Sequence, residues 1–335
     1  MKHGTLKDIS QATGYSKSTI SRVLNGKSAE YRISATAVDK IRRAVKEVNY
    51  KPNMAAQILR TNKSHSIVLL VPGIDNPFFA SIASFIMKEA RQYDYNVLVM
   101  DTAENAHIEN TALNSLIARN IEGIIIVPVG ADPARLEQIS RTIPLILIDR
   151  YFKGYDLPYV STDNYMGAYN ATKLLLKHGH RKILCIQGPG ISVTTQERVR
   201  GYIEAMKENG NSDNILTKGN EFSVQNGYIE TNMVISADYR PTAIFSLSNT
   251  ILLGTIKALR EHEIKIPDEI SLISFDDSTY LDYLNPPITR IAQPIENICI
   301  IAFKSLMNKI IDNQEMHSST LLQPQIIVRD SIKIL

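Results

Sequence analysis

The chain has 335 residues, more than one ordinary domain holds, and its 44% hydrophobic and 21% charged residues describe a globular protein, not a disordered or fibrous one. The net charge of +3 conceals a division: residues 1–65 carry 13 Lys/Arg against 4 Asp/Glu, and the rest carry 24 against 30. A basic head on an acidic body directs the head alone toward a polyanion.

Cys185 and Cys299 stand far apart, without CxxC or metal-ligand spacing, and read as buried reduced thiols. Apolar runs such as Ile67 to Val71 are too short to span a bilayer, and the first residues hold no apolar signal region. A soluble cytoplasmic protein with no membrane partner is expected.

The head opens with Thr5-Leu6-Lys7-Asp8, which has the form of a capping box. Leu6, Ile9 and Ala12 follow as an apolar face, and Gly14 marks a turn. Ser16 then suits a helix N-cap and Gly26 a C′ position. Between them Ile20, Val23 and Leu24 share one face, leaving Lys17, Ser18, Ser21, Arg22 and Asn25 to point elsewhere. Two short helices around a glycine-containing turn form a helix-turn-helix pattern, whose second helix fits a DNA major groove. A small helical hairpin without nucleic acid is the other reading of the same pattern. Ser34 caps a third predicted helix over residues 35–49, with Val38, Ile41, Val45 and Val48 inward. Pro52 breaks it, and Met54 to Arg60 is helix-prone but too short to be stable alone.

From Ser66 short apolar runs alternate with helical patterns. Strands are predicted over 67–72, 96–100, 123–128 and 145–149, then near 183–187, 218–222, 243–247 and 270–275. Helices are predicted over 78–93, 108–119, 133–140, 195–209, 225–236 and 250–262. The alternation predicts an α/β core of two doubly wound parallel-sheet subdomains, with ligands held outside the carboxyl ends of the strands. Residues 1–50 form the all-α head, 51–65 a linker, and 66–335 the core.

Leu6-Lys7-Asp8-Ile9 and Ser16 to Gly26 resemble the DNA-binding segment of the lac repressor/gal repressor (LacI/GalR) family of bacterial transcription regulators. The core phrases Asp75-Asn76-Pro77-Phe78-Phe79, Ile148-Asp149-Arg150, Thr162-Asp163-Asn164, His178 to Ile183 and Ile273 to Asp277 extend the resemblance over nearly the whole chain. It implies a three-helix head that meets operator DNA through Thr5, Ser16, Lys17, Ser18, Thr19, Ser21, Arg22, Asn25 and Tyr50. It also implies a hinge helix with Asn53, Ala56 and Leu59, Leu59 being the leucine that wedges into the minor groove. The core resembles periplasmic binding proteins, which implies an N-subdomain over about 66–162 and 291–323, a C-subdomain over about 163–290 and 324–335, a hinge and linker over 51–65, and an effector that is a sugar or sugar derivative. Asn76, Phe78, Phe79, Arg150, Asp163, Arg198, Phe222, Asn249 and Asp276 match effector positions. Arg198 and Asp276 are expected to face each other across the cleft.

Three departures appear. The connection Lys27 to Ile33 is longer than the family's usual one, Gln57 sits where an arginine is frequent, and Ser248-Asn249 stands where Asn-Asp is usual. No GxSxG, Walker or first-strand GxGxxG sequence is present, so no enzyme activity and no cofactor are expected. His178 and His180 read as structural, not as metal ligands. The expected function is a ligand-responsive regulator, most simply a repressor of carbohydrate-utilisation genes acting as a homodimer on a palindromic operator. The alternative is a soluble sugar-binding protein or sugar-metabolising enzyme with a vestigial helical head. No heptad extension follows the last core strand, which predicts a dimer and not a coiled-coil tetramer.

Overall fold

In a computed structural model of the chain, residues 4–50, 63–117, 119–130, 132–237, 240–316 and 319–335 are described. The hinge residues Asn53, Ala56 and Leu59 lie outside them. Contacts divide the chain into two units, Met1–Ser64 and His65–Leu335.

Among the described residues the head has three helices, α1 (Leu6–Thr13), α2 (Lys17–Leu24) and α3 (Ala35–Glu47). Each begins at a hydroxyl cap, Thr5, Ser16 or Ser34. The capping box forms: the Thr5 backbone N–H donates to Asp8 Oδ2 at 2.8 Å, and Asp8 N–H donates to Thr5 Oγ1 at 3.4 Å. Gly14 and Gly26 adopt positive φ, +78° and +72°, where any Cβ would be strained. Ile9, Ile20, Val23, Ile41 and Ala44 fill the core. Ala12 is exposed, and Thr13 turns inward in its place. Thr13 satisfies its buried hydroxyl by donating to Ile9 O at 2.7 Å. Removing a hydroxyl cap typically costs about 1 kcal/mol. Thr5→Ala is expected to loosen α1 by about that much, visible as faster amide exchange in residues 6–9.

The core has two six-stranded sheets. The first, all parallel, runs β11-β5-β4-β3-β1-β2, from β1 (Ser66–Val71), β2 (Asn96–Asp101), β3 (Gly123–Ile126), β4 (Leu145–Ile148), β5 (Tyr159–Thr162) and β11 (Ser319–Leu322). The second runs β12-β10-β9-β8-β6-β7, from β6 (Ile183–Ile186), β7 (Ile215–Lys218), β8 (Ala243–Ser246), β9 (Ser271–Phe275), β10 (Thr289–Ala292) and β12 (Gln325–Ile327). Among the described residues only the β10–β12 pair is antiparallel. The central strands are buried on both faces, which is why they read as unbroken apolar runs.

Helices α4 (Pro77–Gln92) and α11 (Ile295–Asp312) cover one face of the first sheet. Helices α5 (Ala106–Ile117) and α6 (Pro133–Ser140) cover the other. On the second sheet α7 (Asn164–Lys177) and α8 (Val193–Glu208) lie opposite α9 (Val224–Ile235) and α10 (Asn249–Glu261). Glycines let α9 and α10 meet backbone to backbone: a Cβ on Gly227 or Gly254 would lie 2.0 Å from a carbonyl oxygen of the other helix.

The chain passes between subdomains three times, after β5, after β10 and after β11. Strand β10 keeps the chain in the second sheet through Ala292, two residues beyond the expected 290. The strand expected near 218–222 is instead Ile215–Lys218, ended by Gly219 at φ +89°. Phe222 therefore sits in the following loop, not at a strand end.

Candidate functional site

On α2, Lys17, Ser18, Arg22 and Asn25 are exposed, while Thr19 and Ser21 are half-buried. The helix is anchored through Ile20 and Val23, so its opposite side is free to present donors. Ser16 and Thr19 are tied together, Oγ to Oγ1 at 2.9 Å, and Ser16 Oγ accepts from Thr19 N–H. Asn25 Nδ2 donates to Ser21 O at 2.6 Å. Thr5 is held by its capping box, and Tyr50 packs half-buried against the head core.

The core site is a small cavity at the carboxyl ends of the strands of both sheets. Seven of the nine expected residues line it: Asn76, Phe78, Phe79, Arg150, Arg198, Phe222 and Asp276. Asn76 caps α4 by accepting from Phe78 N–H at 3.0 Å, and Pro77 fixes the first helical position. This start aims Phe78 and Phe79 inward, their rings edge to face at 5.2 Å. Phe222 rests on Gly188, where a Cβ would approach the ring to 2.4 Å. Arg150, just past β4, donates from Nη1 and Nη2 to both oxygens of Glu104 at 2.9 and 2.6 Å. Its guanidinium lies between the Phe79 and Phe222 rings, 5.9 and 5.8 Å from their centroids.

Arg198 and Asp276 correct the expected geometry. Both belong to the C-subdomain, on α8 and at the end of β9, and Arg198 Nη2 lies 4.0 Å from Asp276 Oδ1. They form one side of the cavity, not its two jaws. Arg198 is 3% exposed, donates from Nε to Asn164 Oδ1 and from Nη1 to Leu247 O, both at 2.7 Å, and stacks on Phe275. Asp276, at φ +75°, accepts from Gln293 Nε2 at 2.6 Å and from Asn249 N–H at 3.3 Å.

Asp163 and Asn249 do not line the cavity. Asp163 caps α7 and accepts from Gln323 Nε2 at 2.9 Å. Asn249 Nδ2 turns to Ser278 Oγ at 3.1 Å, and its backbone alone reaches Asp276.

Glu104, Asp149, Thr194, Ser248 and Gln293 complete the lining without having been singled out. Asp149 could have been found, as the first polar residue past an apolar strand. It sits at φ +62°, 5% exposed, and one carboxylate oxygen has no hydrogen-bond partner. Burial pushes its pKa up to about 6, against the pull of Arg198 and Arg150. Arg150 Nε likewise lacks a partner. Carboxylates, guanidinium forks and aromatic faces converge here on one small volume.

The two histidines have structural partners. His178 Nδ1 meets Leu174 O at 2.8 Å, and His180 meets Thr242 Oγ1 and Lys333 O at 3.0 and 3.1 Å. Both cysteines are buried and free. Among the described residues no helix is long and apolar enough to cross a membrane.

Residues 64–330 match the family model for periplasmic binding proteins and the sugar-binding domain of the LacI family, and residues 5–53 match that for bacterial regulatory proteins of the lacI family. The ribose operon repressor of Haemophilus influenzae is 29% identical over 329 residues, 98% of each chain. The repressor PurR of Vibrio campbellii is 29% identical over 334 residues, again 98% of each. In fold, the chain is similar to a lac repressor dimer bound to operator, with a TM-score of 0.90, 23% identity, and coverage of 99% of this chain and 100% of that one. It is also similar to a LacI family regulator from Enterococcus faecium solved with bound ribose, with a TM-score of 0.73, 25% identity, and coverage of 81% and 99%. With head and core matched in order over nearly its full length, the chain belongs to the LacI family of bacterial regulatory proteins and is a DNA-binding, ligand-responsive regulator.

Proposed function

We propose that the protein is a repressor of carbohydrate-utilisation genes, released from or held on its operator by a neutral monosaccharide in the core cavity. The cavity carries the reading. Three carboxylates, Glu104, Asp149 and Asp276, stand against two guanidinium groups, so no net positive charge waits for a phosphate or carboxylate. The unpartnered Asp149 oxygen and Arg150 Nε match the donors and acceptors of sugar hydroxyls, and the phenylalanine rings suit a sugar's C–H face. Relatives named for ribose support a pentose as the first ligand to try. A thermal-shift panel of aldopentoses, aldohexoses, sugar phosphates and purine bases tests this. A neutral sugar at 100 times its Kd should add about 2.7 kcal/mol of stability. Stabilisation by sugar phosphates or purines alone would defeat it.

The protein acts by binding and not by catalysis, in the cytoplasm where its operator is, and as a homodimer on a two-fold symmetric site. Val224, Ile229, Met233 and Leu253 leave an exposed apolar face on the α9–α10 pair that suits a second copy.

DNA is read by α2, with Lys17, Ser18 and Arg22 toward the major groove. Arg22→Ala is expected to lower specific affinity by about 1–3 kcal/mol per half-site. Fluorescence anisotropy on a selected operator checks this; unchanged binding would remove Arg22 from the interface.

A further inference from the structure

The longer connection between α2 and α3 folds back on α2. Lys27 N–H donates to Arg22 O at 2.9 Å, Tyr31 N–H to Lys27 O at 3.2 Å, and Ile33 N–H to Ser28 O at 2.8 Å. Lys27 Nζ lies 3.7 Å from Glu30 Oε2, so the loop's one acid faces Lys27 and not Arg22. These bonds bring the Tyr31 ring under Arg22, whose guanidinium carbon lies 3.9 Å from the ring centroid. Tyr31 is still 43% exposed, so the pair sits at the surface that α2 presents.

A guanidinium stacked on a ring keeps its N–H donors free, because they point outward in its own plane. Stacking also removes rotamer freedom that binding would otherwise have to remove. A base edge met in the major groove asks for that arrangement, an in-plane fork held still.

We infer that Tyr31 is a positioning residue for base readout, stacking the Arg22 guanidinium into the orientation in which it meets its base pair. The inference rests on the reading of α2 as the groove helix. Its effect should be selective: losing Tyr31 relaxes the preference that Arg22 creates and leaves phosphate contacts alone.

The test uses the full chain and an operator selected by it from a random duplex pool. Wild type, Arg22→Ala, Tyr31→Ala, Tyr31→Phe and the Arg22→Ala/Tyr31→Ala double variant are titrated against that operator and against every single base-pair substitution of it. Tyr31→Ala should weaken binding about two- to fivefold, only through the positions that Arg22→Ala flattens, with the salt dependence unchanged. Tyr31→Phe should match wild type, and the double variant should match Arg22→Ala. A uniform loss at all positions, a Tyr31→Ala effect that persists without Arg22, or a phenylalanine variant as weak as the alanine one would overturn the inference while leaving α2 as the reader. A wild-type base profile in Arg22→Ala would instead remove the reading of α2, and the inference with it.

Discussion

Arg198→Ala is expected to abolish the effector response and to destabilise the core by about 3–5 kcal/mol. Arg198 holds Asn164 and the Leu247 carbonyl, covers Phe275, and is the near countercharge for Asp276. Its removal leaves Asp276 and Asp149 as buried carboxylates with less compensation, and leaves the ligand's acceptors without their fork. The structural loss could obscure the functional one, so a milder variant goes beside it. Asp276→Asn keeps shape and one acceptor, and should lower sugar affinity by at least about tenfold, the loss of one hydrogen bond to a charged group. Operator binding should survive in both variants at temperatures where they are folded. Calorimetry with the sugar and anisotropy with the operator separate the two effects. A normal dose response in both variants would take this pair out of the site.

Asp149→Asn is expected to act in the opposite direction on stability. The buried Asp149 carboxyl has its pKa raised to about 6, whereas in the unfolded chain it titrates near the ordinary carboxylate value of about 3.9. Between these values the folded state binds more protons than the unfolded one, so this group lowers stability as pH rises through the window. Above about pH 6 its ionised form costs up to roughly 3 kcal/mol. Asparagine removes that cost. The variant should melt higher than wild type at pH 7, with the advantage shrinking as pH falls toward 4. It should also lose sugar affinity, because Asp149 lines the cavity and supplies one of its three carboxylates. A variant less stable than wild type at pH 7 and equal to it at pH 5 would reverse the sign and refute the assignment. Natural sites often hold such destabilising groups in return for function.

Much of this was legible in the sequence for local reasons. The helix starts follow from Thr5, Ser16 and Ser34, whose hydroxyls have no better use than the free N–H groups beside them. The two sheets follow from apolar runs with no polar side to give away. The local run Gly219-Asn220-Glu221-Phe222 reads as part of a strand, but Gly219 at positive φ ends that strand and leaves Phe222 in the loop. Asp163 and Asn249 match effector positions, but Asp163 caps α7 and accepts from Gln323, and the Asn249 amide donates to Ser278 while its Oδ1 has no partner among the described residues. Ala12 gave way to Thr13 because a hydroxyl bonded within its own helix is as buriable as a methyl. Glu104 and Gln293 carried no local signal, since they meet the cavity only through the tertiary fold.

The three passages between the subdomains are not independent. Thr162 donates to Gln293 at 2.5 Å, joining the first passage to the second, and Gln323 donates to Asp163 at 2.9 Å, joining the third to the first. A lone strap can twist freely, but three straps lashed side by side bend only about the line they share. Laced straps of this kind would confine any tilt of one lobe to a single swing with a preferred rest angle. Gln293, which also grips Asp276 at the cavity, places one lashing within reach of the bound molecule. Changes to Thr162 or Gln323, neither of which lines the cavity, would then reset the rest angle and so the operator affinity measured without any ligand.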